Sequence, residues 1–485
     1  MYENVLEAIG SRWVFALAVA AMAVSGVWVA LTADYPIVYD ERFHLSTIEL
    51  FATNPMPWGD QPFPTADVGD QTRSGSVLFY WLFALPWLAL DALGASQSAT
   101  VWTLRLLNVA IATAVLFGIR RLGRELGAPE GITNLTSMIY ALAPLTGFLA
   151  ATINYDNLVN TLVVFATAIA VRILKPGSPR WRDLCIFIAL AGAAAITKYT
   201  VLPFVGVLGL FVLVVWVRRR RSVGFAPAVE PGRAPLIAAV SSGLAALLVL
   251  AVAVERYIGN LVLYRTPFPA CERVQSVAFC GEYGIWTRNT TADAAYPDDP
   301  LTVTGALDYA IQPWLPNLIS WSHLQGVTGQ FSHASAVPAA LVTGAVAAIL
   351  TVLIIGAPRL LRAPASVALT VSALAYISAL FYENYSTFAT MGIPYAIQGR
   401  YLLFLYPILL IGSLMIVSTL ISTVSQHPRR TKVIWVALLA LSMTQTAGVI
   451  QYARVANPTW IDPSAPLADL AQIAAAVARA LVLSP

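Results

Sequence analysis

Apolar stretches of about twenty residues recur through most of this chain, and that is the length at which an α-helix crosses the hydrocarbon core of a bilayer. The runs fall near 12–33, 101–118, 132–150, 157–174, 183–197, 199–217, 234–254, 336–356, 364–382, 401–423 and 433–450. They predict an all-α polytopic membrane protein, a bundle of about eleven transmembrane helices. Composition excludes a set of soluble domains. Hydrophobic residues make up 58% of the chain and charged residues 11%, against roughly 25% charged in soluble domains. Such a chain cannot cover its own surface in water, so lipid is part of its solvent.

The net charge of +4 does not point to nucleic acid, because Lys and Arg sit in short clusters between apolar runs, as cytoplasmic flanks do. One more run, 76–91, contains Pro86. If it does not cross and the N-terminus is cytoplasmic, five clusters share the cytoplasmic side: Arg120 to Arg124, Lys175 to Arg182, Arg218 to Arg221, Arg359 to Arg362, and Arg429 to Lys432. If it crossed, all five would face outward, against the positive-inside rule. The run is therefore expected to lie along the outer membrane surface, where Trp81 and Trp87 suit the interface. Residues 13–33 are expected to remain as the first span rather than a cleaved signal.

Four regions follow. Residues 1–255 form a transmembrane module with a first outer loop, 34–100. Residues 256–335 form an extracytoplasmic loop, 336–450 the C-terminal spans, and 451–485 an extracytoplasmic tail, with a surface helix expected over 465–483. Cys271 and Cys280 lie nine positions apart in the second outer loop, where an oxidising compartment favours a disulfide. Cys185 lies in an apolar run and reads as an inert thiol. Arg256, Arg265, His323 and His333 belong to the same loop, and the two histidines make no metal motif. Asn289-Thr290-Thr291 matches a glycosylation sequon.

Chemistry-bearing residues gather at four places on the outer side. Tyr39-Asp40-Glu41-Arg42-Phe43-His44 follows the first span, with His44 four positions beyond Asp40 on one helical face. Carboxylates at this boundary suit a general base, or simply a solvated helix start. Asn154-Tyr155-Asp156-Asn157 joins the third and fourth spans, and Asp156 alone would serve as a cap. Lys198, in Thr197-Lys198-Tyr199-Thr200, is a cation on the side that basic residues avoid; it reads as a snorkelling anchor or a phosphate ligand. Arg400, in Gln398-Gly399-Arg400-Tyr401, is another, with a fork suited to two phosphate oxygens. Two carboxylates and two cations on one face are what activation of an acceptor hydroxyl and departure of a phosphate require.

These motifs, in this order and with this sidedness, resemble the GT-C superfamily of membrane glycosyltransferases, with the pattern of protein O-mannosyltransferases, bacterial lipid A aminoarabinose transferases and uncharacterised bacterial members. Val77-Leu78-Phe79-Tyr80-Trp81 is similar to a surface helix of the family, and Leu104-Arg105-Leu106-Leu107-Asn108 to the start of its next span. The resemblance covers the first 220 residues and 395–410; the loop 256–335 has no counterpart in it, and the large relatives' C-terminal soluble domain is replaced by a short tail. It implies an inverting glycosyltransferase in a bacterial inner or plasma membrane, moving a sugar from a polyprenyl-phosphate donor to a glycan, lipid or protein hydroxyl. In that scheme Asp40 and Glu41 are catalytic, with Asp40 as base. His44, Asp156, Asn157 and Gln398 position sugar or acceptor, and Lys198, Arg400 and Tyr401 hold the lipid phosphate. Some relatives use a divalent metal near the first-loop acid, and Asp40, Glu41 and Asp156 offer oxygen ligands for one, with no cofactor certain. Rival readings are a transporter or flippase of a lipid-linked envelope precursor, and an envelope scaffold.

Overall fold

The computed structural model describes residues 8–37, 40–61, 68, 73–177, 180–223, 233–296, 301–318, 339–392, 394, 397–433, 437 and 461–483. Among the described residues the chain is helical and forms no strand; the extended contact that does occur pairs Ala33 with Ile461. The principal helices are α1 (Arg12–Ala30), α2 (Glu41–Thr53), α3 (Leu78–Ala92), α4 (Gln97–Leu126), α5 (Glu130–Leu142), α6 (Pro144–Ala150), α7 (Asp156–Leu174), α8 (Trp181–Thr197), α9 (Leu202–Val223), α10 (Arg233–Ala253), α11 (Gly284–Ala295), α12 (Ala339–Leu360), α13 (Pro364–Met391), α14 (Tyr406–Val424) and α15 (Ala468–Leu483).

Seven helical segments among the described residues are long and apolar enough to cross a membrane. Beyond these seven, three more of the expected runs also form helices. The run 132–150 is divided into α5 and α6 at Ala143 (ψ 128°), because the residue before Pro144 is pushed out of the helical region. α8 has the expected position but only 17 residues. α12 runs over 22 residues, Ala339–Leu360. The run 433–450 lies almost wholly outside the described residues. The run 76–91 does form a helix, α3, with Pro86 inside it and Phe79, Tyr80, Phe83 and Ala84 buried. The tail helix α15 covers most of 465–483.

Local signals set the helix ends. α4 opens on Ser96, whose hydroxyl accepts from the Ala99 N–H at 3.3 Å, and closes at Gly127 in the left-handed region (φ 73°). Small residues let the helices approach, as packing in lipid requires. A Cβ on Gly118 would meet Val164 of α7 at 3.1 Å, and one on Gly192 would meet Val249 of α10 at 2.6 Å. A continuous apolar core runs from α1 through α4 and α7 to α9, α13 and α14, including Met22, Leu116, Val163, Phe204, Tyr376 and Phe404. A second cluster seats α2 and α3 over the ends of α4 and α8 through Ile48, Phe51, Phe79, Tyr80, Leu104 and Ile196.

The first outer loop is pinned from several sides. The Val77 N–H donates to the Ile196 carbonyl at 2.7 Å, and the Tyr257 hydroxyl to the Ala195 carbonyl at 2.7 Å. Buried Arg73 donates to Asn260 (2.9 Å), Asp60 (3.0 Å) and Glu255 (2.7 Å), joining that loop to the far end of the α10 segment. The second outer loop is stapled by the Cys271–Cys280 disulfide. Cys185 is a half-buried thiol. The tail returns to the same end of the bundle, where the Asp462 N–H donates to the Thr32 carbonyl at 3.0 Å.

Candidate active site

The site is built around a carboxylate that does not face solvent. Glu41, the first residue of α2, is fully buried and paired with equally buried Arg105 of α4. Arg105 Nε lies 2.9 Å from Oε1 and Nη2 2.7 Å from Oε2. The N–H groups of Ile37 and Ile153 donate to the same carboxylate at 2.7 and 3.1 Å. Arg105 also donates to the carbonyls of Ala33 (2.7 Å) and Asp34 (2.9 Å). Two charges removed from water are tolerated only with this degree of mutual satisfaction. Glu41, expected beside Asp40 as a reacting acid, therefore sits in an anchor that fixes the end of α1, the start of α2 and the loop before α7.

That anchor presents Asp40. It is the residue before α2, held at φ 63°, ψ 28°, a left-handed conformation uncommon outside glycine. Its side chain is 60% exposed and its Oδ2 lies 3.3 Å from Arg400 Nη2. Arg400 comes from a short 3-10 turn, Gly399–Leu402, just before α14. Its Nε approaches Asp156 Oδ2 at 3.4 Å, and Asp156 Oδ1 accepts from Lys198 Nζ at 2.5 Å. Asp156 opens α7 and Lys198 directly follows α8. Four segments far apart in sequence thus form one alternating chain, Asp40–Arg400–Asp156–Lys198, open to water at Asp40 and buried at the other three residues.

Aromatic rings line the buried end. Lys198 Nζ stands 4.2 Å from the Tyr401 ring centre and 4.8 Å from that of Tyr155, positions that attract a cation through the ring quadrupole. His44 shares a 2.9 Å hydrogen bond with the Tyr80 hydroxyl and meets Tyr155 edge-on at 4.7 Å. Burial pushes His44 down to about 3 and Lys198 down to about 8. His44 is therefore neutral at any ordinary pH.

All of the sequence-derived charges Asp40, Asp156, Lys198 and Arg400 meet here, with Tyr401 and His44 beside them. Asn157 instead spends its amide on the Leu149 carbonyl at 2.8 Å, closing the end of α6. Gln398 is half-buried before the 3-10 turn and accepts from the Tyr401 N–H through its carbonyl at 3.1 Å. Tyr39, His323 and His333 lie outside the described residues. Arg256 and Arg265 fall elsewhere; Arg256 donates to the Gly59 carbonyl at 2.8 Å and Arg265 ends a helical turn at φ 62°. The sequence reading assigned no role to Arg105, Tyr80 or Tyr155. A single arginine inside an apolar run is a signal that a buried partner is required.

No family model matches this chain, and no curated protein does. Among solved structures it is similar to the oligosaccharyltransferase AglB of Archaeoglobus fulgidus in complex with an inhibitory peptide and a dolichol-phosphate, at 12% identity and TM-score 0.46 over 93% of this chain and 56% of that one. The apo form of the Archaeoglobus fulgidus oligosaccharyltransferase gives 13% identity and TM-score 0.47 over 96% and 60%. ArnT from Cupriavidus metallidurans in the apo state gives 11% identity and TM-score 0.28 over 90% and 78%. The chain spans little more than half the length of those oligosaccharyltransferases. At these scores the likeness is remote, and the reading of the site rests on its own residues.

A further neighbour was solved in complex with Zn and sulfate. The carboxylates here do not fit a metal site: both oxygens of Glu41 serve Arg105, and Asp156 faces Lys198 and Arg400. Among the described residues no three His, Cys, Asp or Glu side chains converge.

Proposed function

We propose that the protein is a membrane glycosyltransferase that moves a sugar from a polyprenyl-phosphate donor to an acceptor hydroxyl, with inversion. The observation that carries this reading is the charge chain: an accessible carboxylate, Asp40, ahead of two buried cations, Arg400 and Lys198, held by Asp156. Asp40 takes the proton of the acceptor hydroxyl as its oxygen attacks the anomeric carbon. The bond from that carbon to the phosphate oxygen breaks, and its electron pair leaves with the phosphate. Arg400 and Lys198 stabilise the charge that accumulates there, and Asp156 orients both cations. Attack opposite the leaving phosphate inverts the configuration. Fixed charges aimed at developing charge are the large term in such catalysis.

The test uses membranes from a host lacking the gene, complemented with wild type or with Asp40→Asn, and follows envelope glycans and lipid-linked sugars. We expect wild type alone to restore the missing sugar, and Asp40→Asn to accumulate in the membrane while losing about 10²- to 10⁴-fold in rate. Full rescue by Asp40→Asn would remove Asp40 as the base and favour transport of a lipid-linked precursor.

A further inference from the structure

α7 and α8 form a hairpin whose two ends differ in character. At one end Asp156 opens α7 and Lys198 follows α8, and these two form the buried pair of the active site. At the other end, 19 residues along α7 and so about 27 Å away, the last turn of α7 and the first turn of α8 border a cavity of about 510 Å³. Its walls carry Arg172, Lys175, Arg180, Arg182 and Arg219, with Asp183 as the acidic member.

The positive-inside rule accounts for basic residues on a face; it does not account for their gathering around a hollow. Here the fold builds the wall. Arg219 of α9 reaches across to the carbonyls of Ile173 and Leu174, the latter at 2.8 Å, and so closes the C-terminus of α7. Arg172 is held by Glu125 of α4 at 2.9 Å and lies 3.7 Å from Asp183; Lys175 lies 3.8 Å from Glu125. Five cations thus face two carboxylates, an excess of positive charge in a concave site.

A second observation sets the level of this cavity. Trp181, the first residue of α8, packs edge-on against Trp216 of α9 with ring centres 4.5 Å apart. Arg220 lies over both rings, at 5.9 and 5.6 Å. Tryptophans beside basic residues at helix ends mark the headgroup layer of a membrane. We infer that this cavity is a binding site for a phosphate group, and that the phosphate is the headgroup of an anionic phospholipid in the leaflet opposite the active site. Nothing in this assignment depends on the reaction proposed above.

The experiment is native mass spectrometry of the full chain, delipidated in mild detergent and offered phosphatidylglycerol or phosphatidylcholine of matched acyl chains. We expect wild type to retain phosphatidylglycerol about tenfold better and to gain thermal stability from it. The pair Arg180→Gln/Arg182→Gln should lose that preference. The pair Arg359→Gln/Arg362→Gln, exposed on the same face at the end of α12, removes equal charge outside the cavity and should keep it. Should inorganic phosphate alone stabilise wild type and displace the lipid, the phosphate site stands with a soluble ligand as its source. Equal loss in both pairs would reduce the preference to diffuse surface charge and overturn the site. So would the absence of any preference, or of lipid-dependent stabilisation, in wild type, a readout that does not need either variant to fold.

Discussion

Asp40 and Glu41 are neighbours in sequence and opposites in environment. Glu41 is fully buried with both oxygens committed to Arg105 and backbone donors, whereas Asp40 is 60% exposed. Glu41→Gln leaves Arg105 buried against a neutral amide, and losing one partner of a buried pair costs about 3–5 kcal/mol. A thermal unfolding series in detergent should show Glu41→Gln well below wild type and Asp40→Asn close to it. Wild-type stability with lost turnover in Glu41→Gln would return Glu41 to the reacting groups. In the proposed reaction Lys198 sets the pH response. Burial holds its ammonium at about 8, so the cation offered to a donor phosphate is present below that pH and lost above it. The KM for donor should therefore rise as pH increases through about 8, and Lys198→Arg, charged throughout, should flatten the rise. An unchanged profile in Lys198→Arg would mean that another group titrates. Lys198 and Arg400 drew notice because the expected topology puts them on the face that basic residues avoid. Arg105 was not assigned, because its need for a partner was visible but the identity of that partner, 64 positions away, is decided only by packing.

Elements matter here through where their ends are fixed. Lys198 directly follows α8, and the end of that helix is tied to the first outer loop through Val77 to Ile196 and Tyr257 to Ala195. Gly75 sits in the same loop against the Tyr257 ring, where a Cβ would come within 2.6 Å of Cε1. Gly75→Ala must displace that ring and loosen its bond to Ala195. Overpacking of this kind costs about 1–3 kcal/mol, and the added consequence is a Lys198 held less firmly. We expect a fall in donor affinity alongside the fall in melting temperature; Gly75→Ala/Tyr257→Leu, which makes room but lacks the hydroxyl that bonds to Ala195, should relieve part of the fall in melting temperature and none of the fall in affinity. Stability loss without any change in donor affinity would separate this loop from the site. Most helices were readable from hydrophobic run length. The break at Ala143–Pro144 was readable in principle from the proline alone, but a run-length reading passes over it. Where α2 and α3 settle was not readable, because their apolar faces meet partners from α4 and α8.

At the scale of the whole molecule, the outer loops, the tail contact at Thr32 and the charge chain share one end of the bundle, and the basic cavity occupies the other. In the two proposals both ends offer cations to phosphate, but only one changes the ligand it holds. A sugar-linked lipid phosphate is a diester with a single negative charge. The lipid phosphate left after transfer is a monoester carrying about −1.5 to −2. Meanwhile Asp40 has gained a proton, so the carboxylate that competed for Arg400 is neutral. Both changes strengthen the grip of Arg400 and Lys198 on the spent carrier. Initial-rate assays should find added polyprenyl phosphate inhibiting below the donor's KM, with a first-turnover burst; inhibition weaker than donor binding, and no burst, would argue against it. In the proposed reaction, the same pair of cations that makes the sugar easy to release makes its carrier slow to go, so traffic of spent lipid back into the bilayer would set the pace.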